Sequence, residues 1–246
     1  MATIVLVPGV GVGGWLWSRV APQLQAAGHD VHSVTLSGLR EEDRDADVSQ
    51  VDLSTHVVDV VRMLEQEDLN DVVLVAHSYG GNVIRGVAER VPQRIARLVY
   101  LDAEIPTAGV SMFAAAGPEF EQSIRATAAA GGDPTRLPWF DDETLDAHFP
   151  GNEISAEDRA WLAAGAVSHP LATFGEALTL DNPAAAALPR TYVTCTRRML
   201  PSPIGDDTPG WDHATLETGH WPMLTLPQET VALLDAIASG RPAAAA

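Results

Sequence analysis

The most informative segment of the chain is Val72-Val73-Leu74-Val75-Ala76-His77-Ser78-Tyr79-Gly80-Gly81. Its apolar, β-branched first half predicts a buried strand, and an apolar stripe at helical spacing begins directly after it. A serine between such a strand and helix lies on a sharp turn that exposes its hydroxyl above the sheet. The free N–H groups at the start of the helix favour negative charge developing beside that hydroxyl. The segment therefore predicts a nucleophilic Ser78.

The usual form of this turn is G-x-S-x-G, and Ala76 stands where the first glycine is expected. Alanine is still small enough to let the strand pack closely against the helix. Taken alone, the motif leaves a second interpretation open, in which Ser78 only caps a helix after a buried strand. Residues elsewhere in the chain have to decide between the two.

Apolar runs alternate with helical patterns along the first hundred residues and again near the end of the chain. The predicted strands span residues 3–8, 31–36, 72–76, 96–101, 190–196 and 214–217. The predicted helices span 15–27, a segment capped by Ser54, the segment after Ser78, and 227–238. Because the strands are continuously apolar and linked by helices, we expect an α/β fold. Its mostly parallel sheet of about six strands is flanked by helices on both faces.

Residues 105–186 interrupt this alternation. They contain scattered aromatic residues, no convincing strand, and 12 acids with 3 arginines, which gives a net charge of −9. We predict a helical lid (cap) insertion that divides the α/β core into residues 1–104 and 187–246. An insertion after the fourth strand lies over the carboxyl ends of the strands, where open α/β sheets bind ligands. The open alternative is a separate helical domain, or a flexible segment without a role in binding.

Charge and composition narrow the classes of function. The 246 residues carry a net charge of −18, and all 15 basic residues are arginine. A chain with this net negative charge lacks the basic surface patch of a nucleic-acid-binding protein, so DNA or RNA binding is not expected. Without lysine, the chain has no Lys base, no Schiff base and no phosphate loop of the G-x-x-x-x-G-K type.

The same sequence gives expectations about compartment and partners. No apolar stretch is long enough to span a bilayer, so we expect no membrane partner. The N-terminal apolar run is interrupted early by Pro8 and reads as a strand, not as a signal peptide. A single cysteine, Cys195, excludes an intramolecular disulfide and fits the reducing cytoplasm.

A serine hydroxyl becomes a strong nucleophile only when a base takes its proton. His220 follows the last predicted strand and precedes the last helix, and Gly219 and Pro222 mark its segment as a loop. It also follows Ser78 in the chain, as the base does after a strand-turn-helix nucleophile. The other histidines fit structural roles. His29, His32 and His56 lie in helical or surface-like contexts, and His148 and His169 lie in the insertion. His213 lies near the start of a strand, and we expect His77 to have a packing role.

The base in turn needs a carboxylate that holds its tautomer and stabilises its charged form. The commonest position follows the strand over 190–196, but no carboxylate occurs there until Asp206 and Asp207. Asp102 directly follows the preceding core strand and so lies at the same end of the sheet as the serine. We favour Asp102, then Asp206 or Asp207, then Glu104. A role for Asp102 as a cap of the first lid helix is the structural alternative.

The reaction also needs backbone donors for a negatively charged oxygen. We predict the N–H of Tyr79, next to the nucleophile, and the N–H of Val10, in the glycine-rich turn Pro8–Gly14. That turn also contains the spacing G-x-G-x-x-G of a dinucleotide site, but no acid ends the next strand. No His/Cys cluster has the spacing of a zinc site. We therefore expect no cofactor and no metal.

Together these residues resemble the α/β-hydrolase superfamily, and most closely its group of plant methyl esterases, hydroxynitrile lyases and bacterial pyrethroid-hydrolase-like esterases. The resemblance covers nearly the whole chain. It rests on Val7–Trp17, similar to H-G-x-x-x-G-x-W-x-W, and on Gly28–Val31, Leu36–Leu39, Ala76–Gly81, Leu98–Ala103 and Gly219-His220. It implies an α/β-hydrolase fold and a serine, histidine and acid at the matching positions.

Departures from the group's pattern restrict what the resemblance implies. Pro8 stands where the opening motif has a histidine. Trp221 stands where hydroxynitrile lyases carry a lysine, which argues against that lyase activity. Serine at position 78, where dehalogenases and epoxide hydrolases have aspartate, argues against their chemistry. Pancreatic-type lipases and some dehalogenases have their catalytic acid at the position of Asp102, so the resemblance is compatible with Asp102 as the acid.

The sequence as a whole predicts a serine hydrolase that cleaves a carboxylic ester or lactone. Ser78 attacks the carbonyl, His220 accepts its proton, Asp102 orients His220, and Trp221 contacts the substrate. The aromatic residues and negative charge of the lid favour a neutral, fairly apolar small molecule. The alternatives are a lyase, isomerase or decarboxylase using the same site, and a non-catalytic ligand receptor. Whether the chain forms a homodimer is left open.

Overall fold

The computed structural model describes residues 1–197, 202–205 and 207–241. Its strands are β1 (Thr3–Val7), β2 (Asp30–Ser33), β3 (Val72–His77), β4 (Ile95–Leu101), β5 (Arg136–Leu137), β6 (His169–Pro170), β7 (Arg190–Cys195) and β8 (Asp212–Leu216). The helices of the core are α1 (Ala21–Ala26), α2 (Leu53–Gln66), α3 (Gly80–Arg90), α10 (Pro222–Thr225) and α11 (Pro227–Ala238). The helices between β4 and β7 are α4 (Met112–Ala116), α5 (Pro118–Ala130), α6 (Asp142–His148), α7 (Ala156–Gly165), α8 (Ala172–Gly175) and α9 (Pro183–Ala186).

Six strands form one sheet in the order β2-β1-β3-β4-β7-β8, and every neighbouring pair is parallel. The predicted α/β fold with a sheet of about six strands is therefore confirmed. Residues of β3 alternate between two buried clusters, with Leu74 on one face and Val73 and Val75 on the other. Such a strand is apolar throughout because both of its faces are covered by helices.

The two faces of the sheet are covered by different helices. Residues of α2 and α3 belong to one buried cluster, and residues of α1 and α11 belong to the other. The helix predicted over 15–27 is instead a short 3₁₀ turn, Gly14–Trp17, followed by α1. Pro22, which lacks an N–H, lies in the first turn of α1, where the missing donor costs nothing.

Ser54 is not the cap of α2, so that prediction is wrong. Asp52 is extended and one residue before the helix, and its side chain accepts a hydrogen bond from the Thr55 N–H at 2.8 Å. Ser54 lies inside the helix, where its hydroxyl donates to Glu176 at 2.6 Å. Both residue types cap helices well, and only the backbone conformation distinguishes their roles.

The segment between β4 and β7 is mostly helical, as the sequence predicts. It also contains β5 and β6, which form an antiparallel pair, so the expectation of no strand is wrong at this point. Two-residue strands are too short to show an alternating pattern in the sequence. None of the helices in the described ranges has the length and apolar character needed to cross a bilayer.

Candidate active site

Ser78 lies on the turn between β3 and α3 with a φ of 54°, in the left-handed region. The turn is tight on the helix side. A Cβ at Gly81 would lie 2.0 Å from the Glu104 carbonyl oxygen, and a Cβ at Gly80 would lie 2.7 Å from that of Pro8. The Cβ of Ala76 would be 3.3 Å from the same Gly80 position, so a small side chain at 76 fits the turn. The half-buried Ser78 is thus held in a strained conformation at the carboxyl edge of the sheet.

Asp102 and His220 are brought together across 118 positions of the sequence. Asp102 Oδ2 lies 2.6 Å from His220 Nδ1, and the two side chains are 2% and 12% exposed. A carboxylate accepts hydrogen bonds, so the His220 proton lies on Nδ1 and Nε2 keeps its lone pair. Asp102 directly follows β4, and its N–H donates to the Val193 carbonyl of β7 at 2.9 Å.

Aromatic rings enclose the His220 imidazole. The Phe149 ring stacks on it with a centroid distance of 4.6 Å and an interplanar angle of 12°. The His77 ring lies 4.5 Å away, and Trp221 packs edge-on at 5.0 Å. His77 Nε2 also donates to the His220 carbonyl oxygen at 2.6 Å. Burial lowers the pKa of His77 to about 3, with a further contribution from the nearby His220, so His77 stays neutral. The packing role predicted for His77 thus includes direct contact with His220.

The glycine-rich turn after β1 passes directly beside Ser78. A Cβ at Gly9 would lie 2.9 Å from the Ser78 Cβ and 3.4 Å from its Oγ. Val10 lines the same cavity as Ser78. Within the described part of the chain, the N–H groups of Val10 and Tyr79 donate no backbone hydrogen bond outside the regular elements.

This turn is held by residues of the segment between β4 and β7. The Gly11 N–H donates to His169 Nδ1 at 3.1 Å, and the Val167 N–H donates to the Gly11 carbonyl at 2.8 Å. The Gly14 N–H donates to Thr35 Oγ1 at 2.9 Å. These bonds hold the turn that begins at Pro8, the residue that stands in place of the histidine of the H-G-x-x-x-G-x-W-x-W motif.

One cavity of about 490 Å³ is lined by most of the predicted residues, and Tyr79 is the one that does not line it. Ser78, His220, Asp102, Trp221 and Val10 all line it. The rest of its wall is largely apolar and comes mainly from the segment between β4 and β7: Ile105, Met112, Phe120, Ile124, Leu137, Trp139, Phe140, Phe149 and Phe174. No arginine is among the described lining residues, and their carboxylates are Asp102 and Glu104. The 12 acids of residues 105–186 lie outside this lining, so their charge does not describe the cavity.

The other acids that the sequence offers as partners of His220 are not paired with it in the described part of the structure. Asp207 is exposed and does not line the cavity, and Asp206 lies outside the described residues. Glu104 is exposed at the cavity, and its backbone N–H donates to the Ser78 carbonyl at 3.0 Å. The structure therefore pairs Asp102, and neither Glu104 nor Asp207, with His220 Nδ1.

Several histidines occupy other environments than the sequence predicts. His29 is buried, whereas a surface-like or helical context was expected. His56 lies in the helix α2, as expected, but its side chain is buried. His56 Nδ1 lies 2.9 Å from the Tyr79 hydroxyl, which places it directly beneath the turn. Sequence patterns did not identify His169 or Phe149 as neighbours of the site. Their contacts join segments more than 70 residues apart, and no local motif encodes such contacts.

Comparisons with known proteins identify the family of the chain. A family model described as the alpha/beta hydrolase family matches residues 4–233. A carbendazim hydrolyzing esterase of Nocardioides sp. (strain SG-4G) is 34% identical over 253 residues, covering 96% of this chain and 100% of that protein. Methylesterase 7 of Arabidopsis thaliana is 36% identical over 104 residues, covering 42% of this chain and 40% of that protein.

A solved structure is similar over the whole length. It is an extracellular alpha/beta-hydrolase from a Paenibacillus species, described as sharing structural and functional homology with tobacco salicylic acid binding protein 2. Its TM-score is 0.82 at 26% identity, covering 97% of this chain and 99% of that one. The present chain belongs to the alpha/beta hydrolase family, and it is an ester-cleaving member of that family.

Proposed function

We propose that the protein hydrolyses carboxylic esters of neutral, apolar small molecules through an acyl-enzyme on Ser78. The observation that carries this proposal is the pairing of Asp102 with His220 in the cavity that also contains Ser78. A serine on a strained turn, a histidine with its Nε2 lone pair free, and a buried carboxylate form the set that acyl transfer requires.

The first half-reaction forms the acyl-enzyme. Ser78 Oγ attacks the ester carbonyl carbon while His220 Nε2 takes the hydroxyl proton. Asp102 stabilises the imidazolium that forms. The carbonyl oxygen becomes an oxyanion and accepts hydrogen bonds from the N–H groups of Val10 and Tyr79. When the tetrahedral intermediate collapses, the C–O bond to the alcohol breaks and His220 returns its proton to the leaving oxygen.

The second half-reaction frees the enzyme. His220 takes a proton from a water molecule, whose oxygen attacks the acyl carbon of the Ser78 ester. The same two N–H groups hold the second oxyanion. Cleavage of the bond to Ser78 Oγ returns the proton to the serine and releases the carboxylic acid, so atoms and charge balance over the cycle.

The cavity wall supports a neutral substrate. Its described lining is largely aromatic and aliphatic, and the carboxylates in that lining are Asp102 and Glu104. A substrate carboxylate would face these like charges in a partly dehydrated cavity, and none of the described lining residues is an arginine that could pair with it. The 34%-identical relative is named for carbendazim hydrolysis, which makes carbendazim a candidate substrate for this chain.

Residues 105–186 act as a lid in this account. They supply most of the apolar wall and hold the turn beside Ser78, which supports a division of the core into residues 1–104 and 187–246. The single cysteine, Cys195, is buried and supports a cytoplasmic location.

The test compares a matched pair of esters on wild-type protein and on Ser78→Ala. The esters are p-nitrophenyl butyrate and mono-p-nitrophenyl succinate, which differ mainly by a carboxylate on the acyl chain. We expect kcat/KM at least roughly tenfold higher for the butyrate, and a loss on the order of 10⁴-fold or more in Ser78→Ala. Equal rates on the two esters would contradict the neutral-substrate proposal, and an active Ser78→Ala would contradict the mechanism.

A further inference from the structure

His169 joins the 105–186 segment to the turn that carries a predicted oxyanion donor. It lies on β6, which pairs with β5, and its side chain is fully buried. Its Nδ1 accepts the hydrogen bond of the Gly11 N–H at 3.1 Å, across 158 positions of the sequence. Gly11 follows Val10 in the chain, so this bond lies one peptide unit from the proposed donor.

The tautomer of His169 is fixed by its other nitrogen. His169 Nε2 lies 3.0 Å from Thr173 Oγ1, and that hydroxyl donates its proton to the Pro170 carbonyl at 2.7 Å. Thr173 Oγ1 therefore accepts from His169, which places the ring proton on Nε2 and leaves Nδ1 as an acceptor. Burial and the nearby His56 lower the pKa of His169 well below its ordinary value, so the ring stays neutral.

Both the N–H and the carbonyl of Gly11 are hydrogen-bonded to residues of the 105–186 segment. Its N–H bonds to His169, and its carbonyl accepts from the Val167 N–H at 2.8 Å. Its φ of 69° lies in the left-handed region, so the turn has a particular shape that these bonds preserve. The peptide unit between Val10 and Gly11 cannot rotate without breaking the bond to His169, which restrains the adjacent Val10 N–H.

The same imidazole also contacts the second predicted donor residue. The rings of His169 and Tyr79 pack edge to face at 4.8 Å and 75°. From the other side, the Tyr79 hydroxyl bonds to His56 Nδ1 at 2.9 Å, and His56 Nε2 donates to the Ser37 carbonyl at 2.8 Å. Tyr79 is therefore fixed between His56 and His169.

We propose that His169 is a positioning residue for the oxyanion hole, through which docking of the 105–186 segment sets the geometry of both N–H donors. This inference rests on the proposed function, because it assigns His169 a role in the same acyl transfer. A donor displaced from the oxyanion weakens a bond that matters most in the transition state. Loss of His169 should therefore lower kcat more than it raises KM.

The experiment compares His169→Leu with His169→Asn. Asparagine places an acceptor oxygen close to the position of Nδ1, whereas leucine removes it. We expect kcat to fall about 10- to 100-fold in His169→Leu, below the roughly 10²–10³-fold cost of deleting a donor. We expect KM to change less than about threefold and His169→Asn to recover most of the rate. Affinity for a boronic acid, which mimics the tetrahedral intermediate, should fall in parallel with kcat.

A matched control is His29→Leu, which removes another buried histidine away from the cavity, where it contacts Asp235. Its kcat should equal that of wild type. If His169→Leu does not fold, Thr173→Val tests the same idea, because it removes the acceptor that fixes the tautomer. Its kcat should then fall about three- to tenfold.

Three outcomes would overturn the inference: unchanged kcat and boronate affinity in His169→Leu, failure of His169→Asn to recover the rate, or wild-type kcat in Thr173→Val. These outcomes are separate from failure of the proposed function. That failure would appear as full activity in Ser78→Ala, whatever the His169 variants do.

Discussion

At the scale of single residues, the bond between Asp102 and His220 is the feature on which the proposed mechanism depends. It is short, at 2.6 Å, and both side chains are shielded from water. In such a setting the carboxylate holds the imidazole in the tautomer whose Nε2 can accept a proton. An amide at position 102 would keep the shape but would also accommodate the wrong tautomer.

Asp102→Asn should therefore lower kcat by roughly 10⁴-fold, the cost known for this change in serine proteases, with little effect on KM. Asp207→Asn is the matched control, because Asp207 is exposed and does not line the cavity. Its kcat should stay within about twofold of wild type. Steady-state kinetics on p-nitrophenyl butyrate measure both values. A strong loss in Asp207→Asn with an active Asp102→Asn would reverse the assignment.

From the sequence alone, Ser78 and His220 could be proposed as nucleophile and base because each lies in a local motif whose order in the chain matches the chemistry. It ranked Asp102 above Asp207 but could not decide between them. The strands β4 and β7 both end at the carboxyl edge of the sheet, so the loops that follow them begin at the same edge. The choice depends on which loop the His220 side chain faces, and that is a tertiary fact. His169 was assigned no role for the same reason, since its partner Gly11 is 158 positions away.

At the scale of elements, the approach of α3 to the loop after β4 determines where Ser78 lies. A Cβ at Gly81 would be 2.0 Å from the Glu104 carbonyl oxygen, so no side chain fits there without movement of backbone. The contact also ties the serine turn to the Asp102 loop through the bond from the Glu104 N–H to the Ser78 carbonyl.

Gly81→Ala should destabilise the protein by at least about 2 kcal/mol, because the helix or the loop must shift to admit the methyl group. Gly175→Ala is the control: Gly175 also lies in a helix, is exposed, and would place its Cβ no closer than 4.0 Å to Phe113. Its stability should lie within about 1 kcal/mol of wild type and be raised if anything. Urea unfolding measures both, and equal stability of the two variants would contradict the packing argument.

Most elements of the sheet could be predicted because continuous apolar runs of strand length leave few alternatives. The boundaries were less certain where polar residues compete for the same role, as at Asp52 and Ser54. The pairing of β5 with β6 could not be predicted, because two residues carry no periodicity. Their alignment depends on the helices that separate them in the chain.

At the scale of the whole molecule, three buried histidines link stability to pH. Burial lowers the pKa of His56, of His77 to about 3, and of His169 well below its ordinary value of 6.5. In the unfolded chain these groups bind protons near pH 6.5, whereas in the folded protein they bind protons only at lower pH. Their contribution to stability is therefore complete above about pH 7 and is lost as the pH falls below the unfolded value.

The free energy of unfolding should fall between pH 6.5 and about 4.5, with His77 and His169 each adding about 1.4 kcal/mol per pH unit. Carboxyl groups with lowered pKa, such as Asp235, lose their contribution only at lower pH. His77→Gln should reduce the slope by about 1.4 kcal/mol per pH unit, which corresponds to one bound proton. Urea unfolding at pH 7.5, 6.0 and 5.0 measures the slope. A stability independent of pH in this range would contradict the account.

Covalent labelling of the nucleophile tests the proposed acyl-enzyme directly. A fluorophosphonate forms a P–O bond to an activated serine and releases fluoride, and peptide mass spectrometry locates the adduct. We predict one adduct, on the peptide that contains Ser78, its loss in Ser78→Ala, and slower labelling in Asp102→Asn. An esterase-active protein whose label lies on another residue, or that carries none, would contradict an acyl-enzyme on Ser78.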